Sequence, residues 1–326
     1  MLVARLMSFI PRTGAALTQD LANLSLDLPV LIPEFLYART STMLASEPGV
    51  GKSIVSMQLA LSLSSGTPLF GTLTIPQPQK VYYLQLEGSY PHTIERLRLM
   101  QQKIPIVADN LCWDMGEGMN VLREQDWLRL ESRIKAFGSP ALILIDPIYL
   151  AVAGGLSEDR PASAFVRFSN NLMQTFGSAN WLNHHTHRVR YHNGEEVQEH
   201  DPFYGSQWLK AHLDASWLMT RTGESKVKLD CKKDRNSTLL KQLNLVYDEE
   251  SMTCENVLYA DSPAMVRLVA LLADCKTRNI TLSFSEIQAK LGVSHTHLCR
   301  LKNGIAQMNL VKFHKSPGKS TIWEPT

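Results

Sequence analysis

Residues 46–53 read Ser46-Glu47-Pro48-Gly49-Val50-Gly51-Lys52-Ser53, between the apolar run 42–45 and the run 54–61, whose apolar residues fall at helical spacing. A glycine turn that joins a strand to a helix in this way is a phosphate-binding loop of the Walker A kind, and it commits the chain to an α/β fold that handles a nucleoside triphosphate. Gly49 and Gly51 let the backbone curl so that successive N–H groups face phosphate oxygens. The positive end of the following helix adds to that field. Pro48 and Val50 complete the cradle, Lys52 can reach the β- and γ-phosphates, and the Ser53 hydroxyl can hold Mg²⁺. The usual first glycine is here Ser46. The alternative is a glycine turn with a solvated lysine.

Alternation supports the same class. Strand-like runs recur at 81–86, 141–145, 179–183, 215–220 and 227–231, with helical stretches between several of them, notably 91–102 and 126–137. The unbroken run Ala141-Leu142-Ile143-Leu144-Ile145 suits a strand buried on both faces of a parallel sheet. Strand, turn and helix repeating in this order predict a mostly parallel sheet with crossover helices.

Three divisions are expected: an N-terminal arm over 1–30, an ATPase core over 31–260, and a small unit over 261–326. In the last, Ser262-Pro263 can start a helix whose face carries Met265, Leu268, Val269 and Leu272. Ser283-Phe284-Ser285-Glu286 spells a capping box, Gly292 can end that helix, and Ser294 can cap the next. Strand-like segments 310–315 and 320–324 flank the turn Ser316-Pro317-Gly318-Lys319. Helix, helix-turn-helix and hairpin in that order are the layout of a winged helix, with a generic three-helix cap as the alternative.

Composition narrows little further. The chain has 326 residues, 44% of them hydrophobic and 20% charged, with a net charge of +2, so any nucleic-acid surface must be local. Five scattered cysteines without a C-x-x-C pair favour a reducing compartment over a disulfide frame. The apolar start is broken early by Pro11 and Arg12, and no later run approaches a membrane span, so a cytoplasmic location is expected.

Two acids stand at strand ends. Glu87 follows the strand 81–86, where it would act on a water attacking the γ-phosphate, or else simply begin a helix. Asp146 follows the run 141–145 in the Walker B manner, holding Mg²⁺ through water, or else caps the next segment. His184, His185, His187, His192 and His200 crowd one region without an H-E-x-x-H spelling, which fits a phosphate sensor and a polar loop better than a metal site. In that loop Arg188, Arg190 and Tyr191 are groups suited to a nucleic-acid backbone, diluted by Glu195, Glu196, Glu199 and Asp201, so a merely solvated loop stays open. Arg300 and Lys302, with Lys312 and Lys315 on the hairpin, would offer DNA phosphate contacts, though winged helices also bind proteins.

The order of these motifs over residues 31–248 resembles the RecA-type ATPase core of ring-forming replicative helicases of the plasmid RepA and DnaB kind. Leu84-Gln85-Leu86-Glu87 with Arg96, Asp146, the run His184-His185-Thr186-His187-Arg188, Gly205-Ser206-Gln207-Trp208-Leu209 leading to Asp214, and Lys232-Lys233-Asp234-Arg235 carry the likeness. The resemblance implies ATP and Mg²⁺ as cofactors, with Glu87 as the catalytic carboxylate and His185 as the γ-phosphate sensor. Lys233 and Arg235 would be lent to a neighbouring subunit's ATP, Arg235 as the arginine finger. It also implies a homo-oligomer, a hexamer by that likeness, passing single-stranded DNA in replication of a plasmid, phage or other mobile element. An ATP-switched DNA-binding regulator or initiator and a recombinase-like filament former are the rival readings.

Overall fold

The computed structural model describes residues 13–23, 30–116, 118–152, 155–186, 190–192, 195–197, 207–256, 263–278, 280–293, 298, 301–302, 305, 311–314 and 321–325. The chain divides into two compact units, Met1–Asn256 and Val257–Thr326.

The first unit begins with helix α1 (Gly14–Asn23), where the sequence predicted only an arm, and the short hairpin β1 (Val30–Ile32) and β2 (Leu36–Tyr37). Then come β3 (Ser41–Ser46), α2 (Lys52–Ser65), β4 (Val81–Gln85), α3 (Tyr90–Met100), β5 (Leu111–Met115), α4 (Glu124–Phe137) and β6 (Leu142–Asp146). A 3₁₀ turn (Ile148–Ala151), α5 (Asp159–Phe176), β7 (Ala179–His185) and the hairpin β8 (Arg190–His192) and β9 (Glu195–Val197) follow. The unit ends with α6 (Gln207–His212), β10 (Ala215–Arg221), β11 (Lys226–Asp234), β12 (Gln242–Asp248) and β13 (Thr253–Asn256).

Nine of these strands form one sheet in the order β13-β12-β11-β10-β3-β7-β6-β4-β5. Neighbours from β10 to β5 pair in parallel, and β11, β12 and β13 extend the sheet antiparallel beyond β10. The parallel part follows from strands apolar on both faces: β3, β4 and β6 are buried at every position. Side-chain parity then assigns the helices. Leu44, Tyr83, Leu144 and Trp181 face the layer holding α2 and α3, whereas Met43, Tyr82, Ile143 and Leu182 face α4 and α5. Phe35, from the turn of the first hairpin, packs against Trp181 and Trp217 at centroid distances of 5.5 and 5.2 Å.

Helix α2 is buried nearly all round because β13 covers its outer side. The Gln58 Nε2 donates to Cys254 O at 2.9 Å, and Cys254 N donates to Gln58 Oε1 at 2.7 Å. In this unit the predicted strands and helices are present, with ends displaced: the strand expected over 141–145 runs one residue later and includes Asp146, and the helix expected from 126 begins at Glu124. β5, β12 and β13 were not foreseen.

The second unit contains α7 (Pro263–Thr277), β14 (Leu282–Ser283), α8 (Phe284–Leu291), helical residues at Leu298, Leu301, Lys302 and Ile305, and strands β15 (Val311–His314) and β16 (Ile322–Pro325). The strands pair antiparallel in the order β14-β16-β15. Met265, Leu268, Leu272, Ile287, Leu298 and Trp323 share one core. Ser283 and Glu286 form the reciprocal capping box, and Gly292 ends α8 at φ +65°. Ser294 lies outside the described residues. No helix among the described residues is long and apolar enough to cross a membrane.

Candidate functional site

Strand β3 ends at Ser46, and the chain turns through 47–51 before α2 starts at Lys52. The turn needs its glycines for backbone reasons: Gly49 has φ +79° and Gly51 +112°, values that side-chain-bearing residues adopt only with strain. Nothing lies within 4 Å of where a Cβ on Gly49 would stand, so space is not the constraint there. No side chain caps the N-terminus of α2, which leaves its first N–H groups to an anion.

Lys52 is buried, and its ammonium donates to Ser46 O (3.1 Å), Ser46 Oγ (3.0 Å) and Glu47 O (3.2 Å) and reaches His185 Nδ1 at 3.1 Å. The serine that replaces the usual glycine thus supplies an extra acceptor, while its own hydroxyl donates to Glu47 O at 2.7 Å. His185 arrives through register, since β7 runs beside β3 with His185 opposite Ser46. An ammonium donating to Nδ1 requires a neutral ring there, and burial together with the Lys52 charge lowers the His185 pKa accordingly. Burial also lowers Lys52 to about 8, against the opposing pull of Asp146 and Glu87.

The acids stand on the next strands of the same sheet edge. Asp146 is the last residue of β6 and is buried, where it accepts a 2.6 Å hydrogen bond from the Tyr83 hydroxyl. Burial, with the Asp146 charge beside it, pushes the Tyr83 pKa well above its ordinary value. Glu87 follows β4 and is exposed, and the Tyr149 hydroxyl donates to its Oε2 at 2.9 Å. Its backbone is held by Gln85, whose Nε2 donates to Glu87 O at 2.7 Å, and Gln85 is in turn tied to Thr93 and Trp113. The C-terminal ends of adjacent strands β3, β7, β6 and β4 therefore bring together Lys52, Ser53, His185, Asp146 and Glu87. That set fits a triphosphate with a divalent cation: a glycine cradle in a left-handed backbone, a buried cation, a helix N-terminus, a hydroxyl and a buried carboxylate. Among the described residues no three His, Cys, Asp or Glu side chains are grouped to hold a metal by themselves.

Beside the loop lies a cavity of about 210 Å³ lined by Gly49, Val50, Ile54, Met219, Arg221 and Tyr247, among others. The Arg221 guanidinium donates to Gly49 O at 3.0 Å, which joins the end of β10 to the phosphate loop. An aromatic ring, a guanidinium and apolar side chains beside a phosphate cradle suit a flat, hydrophobic nucleobase. Tyr247 reaches the loop only through the lateral stacking of β10, β11 and β12, which no local pattern announces.

Lys233 and Arg235 are placed elsewhere. β11 runs antiparallel to β10, with Lys233 opposite Ser216 and Asp234 opposite Ala215, and Ala215 is level with Thr42 at the start of β3. They lie toward the end of the sheet away from Ser46, Lys233 level with Met43 and Arg235 one residue beyond the level of Thr42, which is roughly 10 and 16 Å along the strand direction at about 3.3 Å per residue. There Lys233 Nζ donates to Lys210 O (2.8 Å) and Ala211 O (3.3 Å), and Arg235 NH2 donates to Ala211 O (2.9 Å). Arg235 also pairs with Asp214 at 3.4 Å. Both cations thus hold the carbonyl end of α6, and burial with the adjacent Arg235 charge lowers the Lys233 pKa.

Of the expected DNA contacts, Arg188, Arg300 and Lys315 lie outside the described residues, and Arg190 is described only as backbone in β8. Lys312 is exposed on β15, and the Lys302 ammonium sits 4.8 Å from the centroid of the Phe313 ring.

A family model described as an AAA domain matches residues 13–190, more than half of the chain. Among solved structures, an ATPase domain matches at 16% identity with a TM-score of 0.54, over 74% of this chain and 96% of that one. A DnaB-like replicative helicase, described with its interactions with primase, matches at 14% identity and a TM-score of 0.54, over 76% of this chain and 68% of that one. The shared fold is that of RecA-like P-loop ATPases. No curated protein matches the sequence.

Proposed function

This chain belongs to the AAA domain family, and from that premise we propose that it is an Mg²⁺-dependent ATP hydrolase that works as a ring on DNA. The observation that carries the reading is the separation of two half-sites. Lys52, His185, Asp146 and Glu87 share one edge of the sheet, while Lys233 and Arg235 stand at the opposite edge. In a head-to-tail assembly the second set faces a neighbour's first, and such an interface closes into a ring. The resemblance to replicative helicases favours six subunits and a plasmid, phage or other mobile element as the setting.

Lys52 and the loop amides bind the phosphates, and Ser53 and Asp146 would hold the cation. The bound Mg²⁺ would neutralise charge on the phosphate oxygens. Glu87 orients a water and takes its proton as the water oxygen bonds to the γ-phosphorus and the bond to the β–γ bridging oxygen breaks, giving ADP and phosphate. Arg235 from the neighbour stabilises the charge that develops, a contribution of about 10³–10⁵ in rate for such fingers. The segment 188–204, with Arg188 and Arg190, follows single-stranded DNA, and the winged-helix-like unit with Arg300, Lys302, Lys312 and Lys315 contacts duplex phosphates.

The test is ATP turnover with and without single-stranded DNA, beside unwinding of a forked duplex. DNA-stimulated turnover with strand separation supports the helicase. Stimulated turnover without separation favours the ATP-switched regulator or the filament former, and no turnover removes the enzyme reading.

A further inference from the structure

We propose that Tyr149 is a positioning residue for ATP hydrolysis, holding the Glu87 carboxylate in the orientation from which it activates water. The inference rests on the ATPase reading above and adds to it a group outside the motifs that suggested it.

The 3₁₀ turn Ile148–Ala151 directly follows the strand that carries Asp146. Ile148 and Ala151 are fully buried, which pins the turn at both ends, while Tyr149 and Leu150 remain 37% and 40% exposed. An exposed aromatic on a pinned turn has its backbone fixed and two torsions to settle. Both are settled by contacts that lead into the site. The Tyr149 hydroxyl donates to Glu87 Oε2 at 2.9 Å, and its ring lies 5.2 Å from the His185 ring, tilted by 50°. His185 Nδ1 is in turn 3.1 Å from the Lys52 ammonium. A single side chain therefore spans from the group that would activate water to the histidine beside the phosphate-binding lysine.

Glu87 needs such a tie. It is exposed, and a free glutamate side chain samples many rotamers, whose entropy opposes any single orientation. The Gln85 amide fixes its backbone carbonyl but not its carboxylate. A phenol bound to one carboxylate oxygen leaves the second able to accept a proton from water. The phenol also remains a donor throughout, because burial and the Glu87 carboxylate raise the Tyr149 pKa to about 12.

Tyr149→Phe keeps the ring against His185 and removes only the donor. The expected result is a loss of about tenfold in kcat, the scale of one charge-assisted hydrogen bond, with ATP KM and nucleotide Kd unchanged within about twofold. Glu87→Gln should abolish most turnover, and adding Tyr149→Phe to it should cost nothing further, because the tie then has nothing to position. An activity-independent measurement accompanies these rates: NMR of the nucleotide-free full-length protein labelled at tyrosine Cζ. The resonance absent from Tyr149→Phe should move in Glu87→Gln. A stationary resonance, or wild-type kcat in Tyr149→Phe, overturns the proposal while leaving the ATPase reading intact. Absence of hydrolysis in the wild type, with the resonance still moving, overturns both and places the fault in the ATPase reading rather than in the contact.

Discussion

Raising the pH from 7 to 9 should weaken nucleotide binding about tenfold, and the reason is Lys52. Its burial lowers the ammonium pKa from 10.5 to about 8, so in the nucleotide-free protein it is charged below that pH and neutral above it. Phosphate oxygens stabilise the charged form and raise the pKa of the complex. Binding above pH 8 must therefore take up a proton, and the apparent Kd grows as 1 + 10^(pH − 8). That factor is about 1.1 at pH 7, about 2 at pH 8 and about 11 at pH 9, a loss of about 1.4 kcal/mol over the range. Isothermal calorimetry with a non-hydrolysable ATP analogue and Mg²⁺, repeated in buffers of different ionisation enthalpy, reads both quantities. Proton uptake should approach about 0.9 per site at pH 9. Lys52→Arg should flatten the pH profile, because a guanidinium stays charged throughout. A wild-type Kd constant between pH 7 and 9, or proton release in place of uptake, would refute the reasoning.

Three further outcomes are expected. Tyr247→Ala should weaken ATP roughly 5- to 150-fold, the range for loss of one base–aromatic stack, while inorganic triphosphate binds as before; equal losses for both would move the base elsewhere. Tyr83→Phe removes the 2.6 Å donor to buried Asp146, so stability should fall by about 1.5–3 kcal/mol and Tm by about 3–12 °C in a unit of this size, read by calorimetry. Because Lys52 is protonated more readily in the unfolded chain, stability should rise between about pH 8 and 10.5 in the wild type and not in Lys52→Met; denaturant titration across that window checks the sign.

The fold was legible where local pattern and tertiary role agree. Leu142–Asp146 is apolar because both faces are covered, so its sequence announced both strand and burial. β5 was missed because it is an edge strand: Cys112 and Trp113 are half-buried and Asp114 is buried beneath Tyr82 and Arg133, which mixes polar with apolar residues and blurs the period. β12 and β13 were missed because Gln242 and Asn244 line an outward face and Cys254 packs against α2, far away in sequence. The site divides in the same way. Lys52, Asp146 and Glu87 are announced by a motif or a strand end, whereas Ser46 Oγ, Tyr149 and Tyr247 gain their partners through register and crossover. The position of Lys233 and Arg235 belongs to that second kind, since only the antiparallel turn of β11 puts them at the far end of the sheet from the phosphate loop.

Completion of each site by a neighbour is the claim on which the proposed function stands, and mixing two inactive variants tests it most directly. Arg235→Ala keeps Glu87, and Glu87→Gln keeps Arg235. At equal ratio in a randomly mixed ring, about a quarter of the interfaces join an intact Glu87 to an intact Arg235. ATP turnover of the mixture should therefore recover toward about a quarter of the wild-type rate, with each variant alone near background. No recovery at any ratio, under conditions where the wild type turns over, would contradict action between subunits.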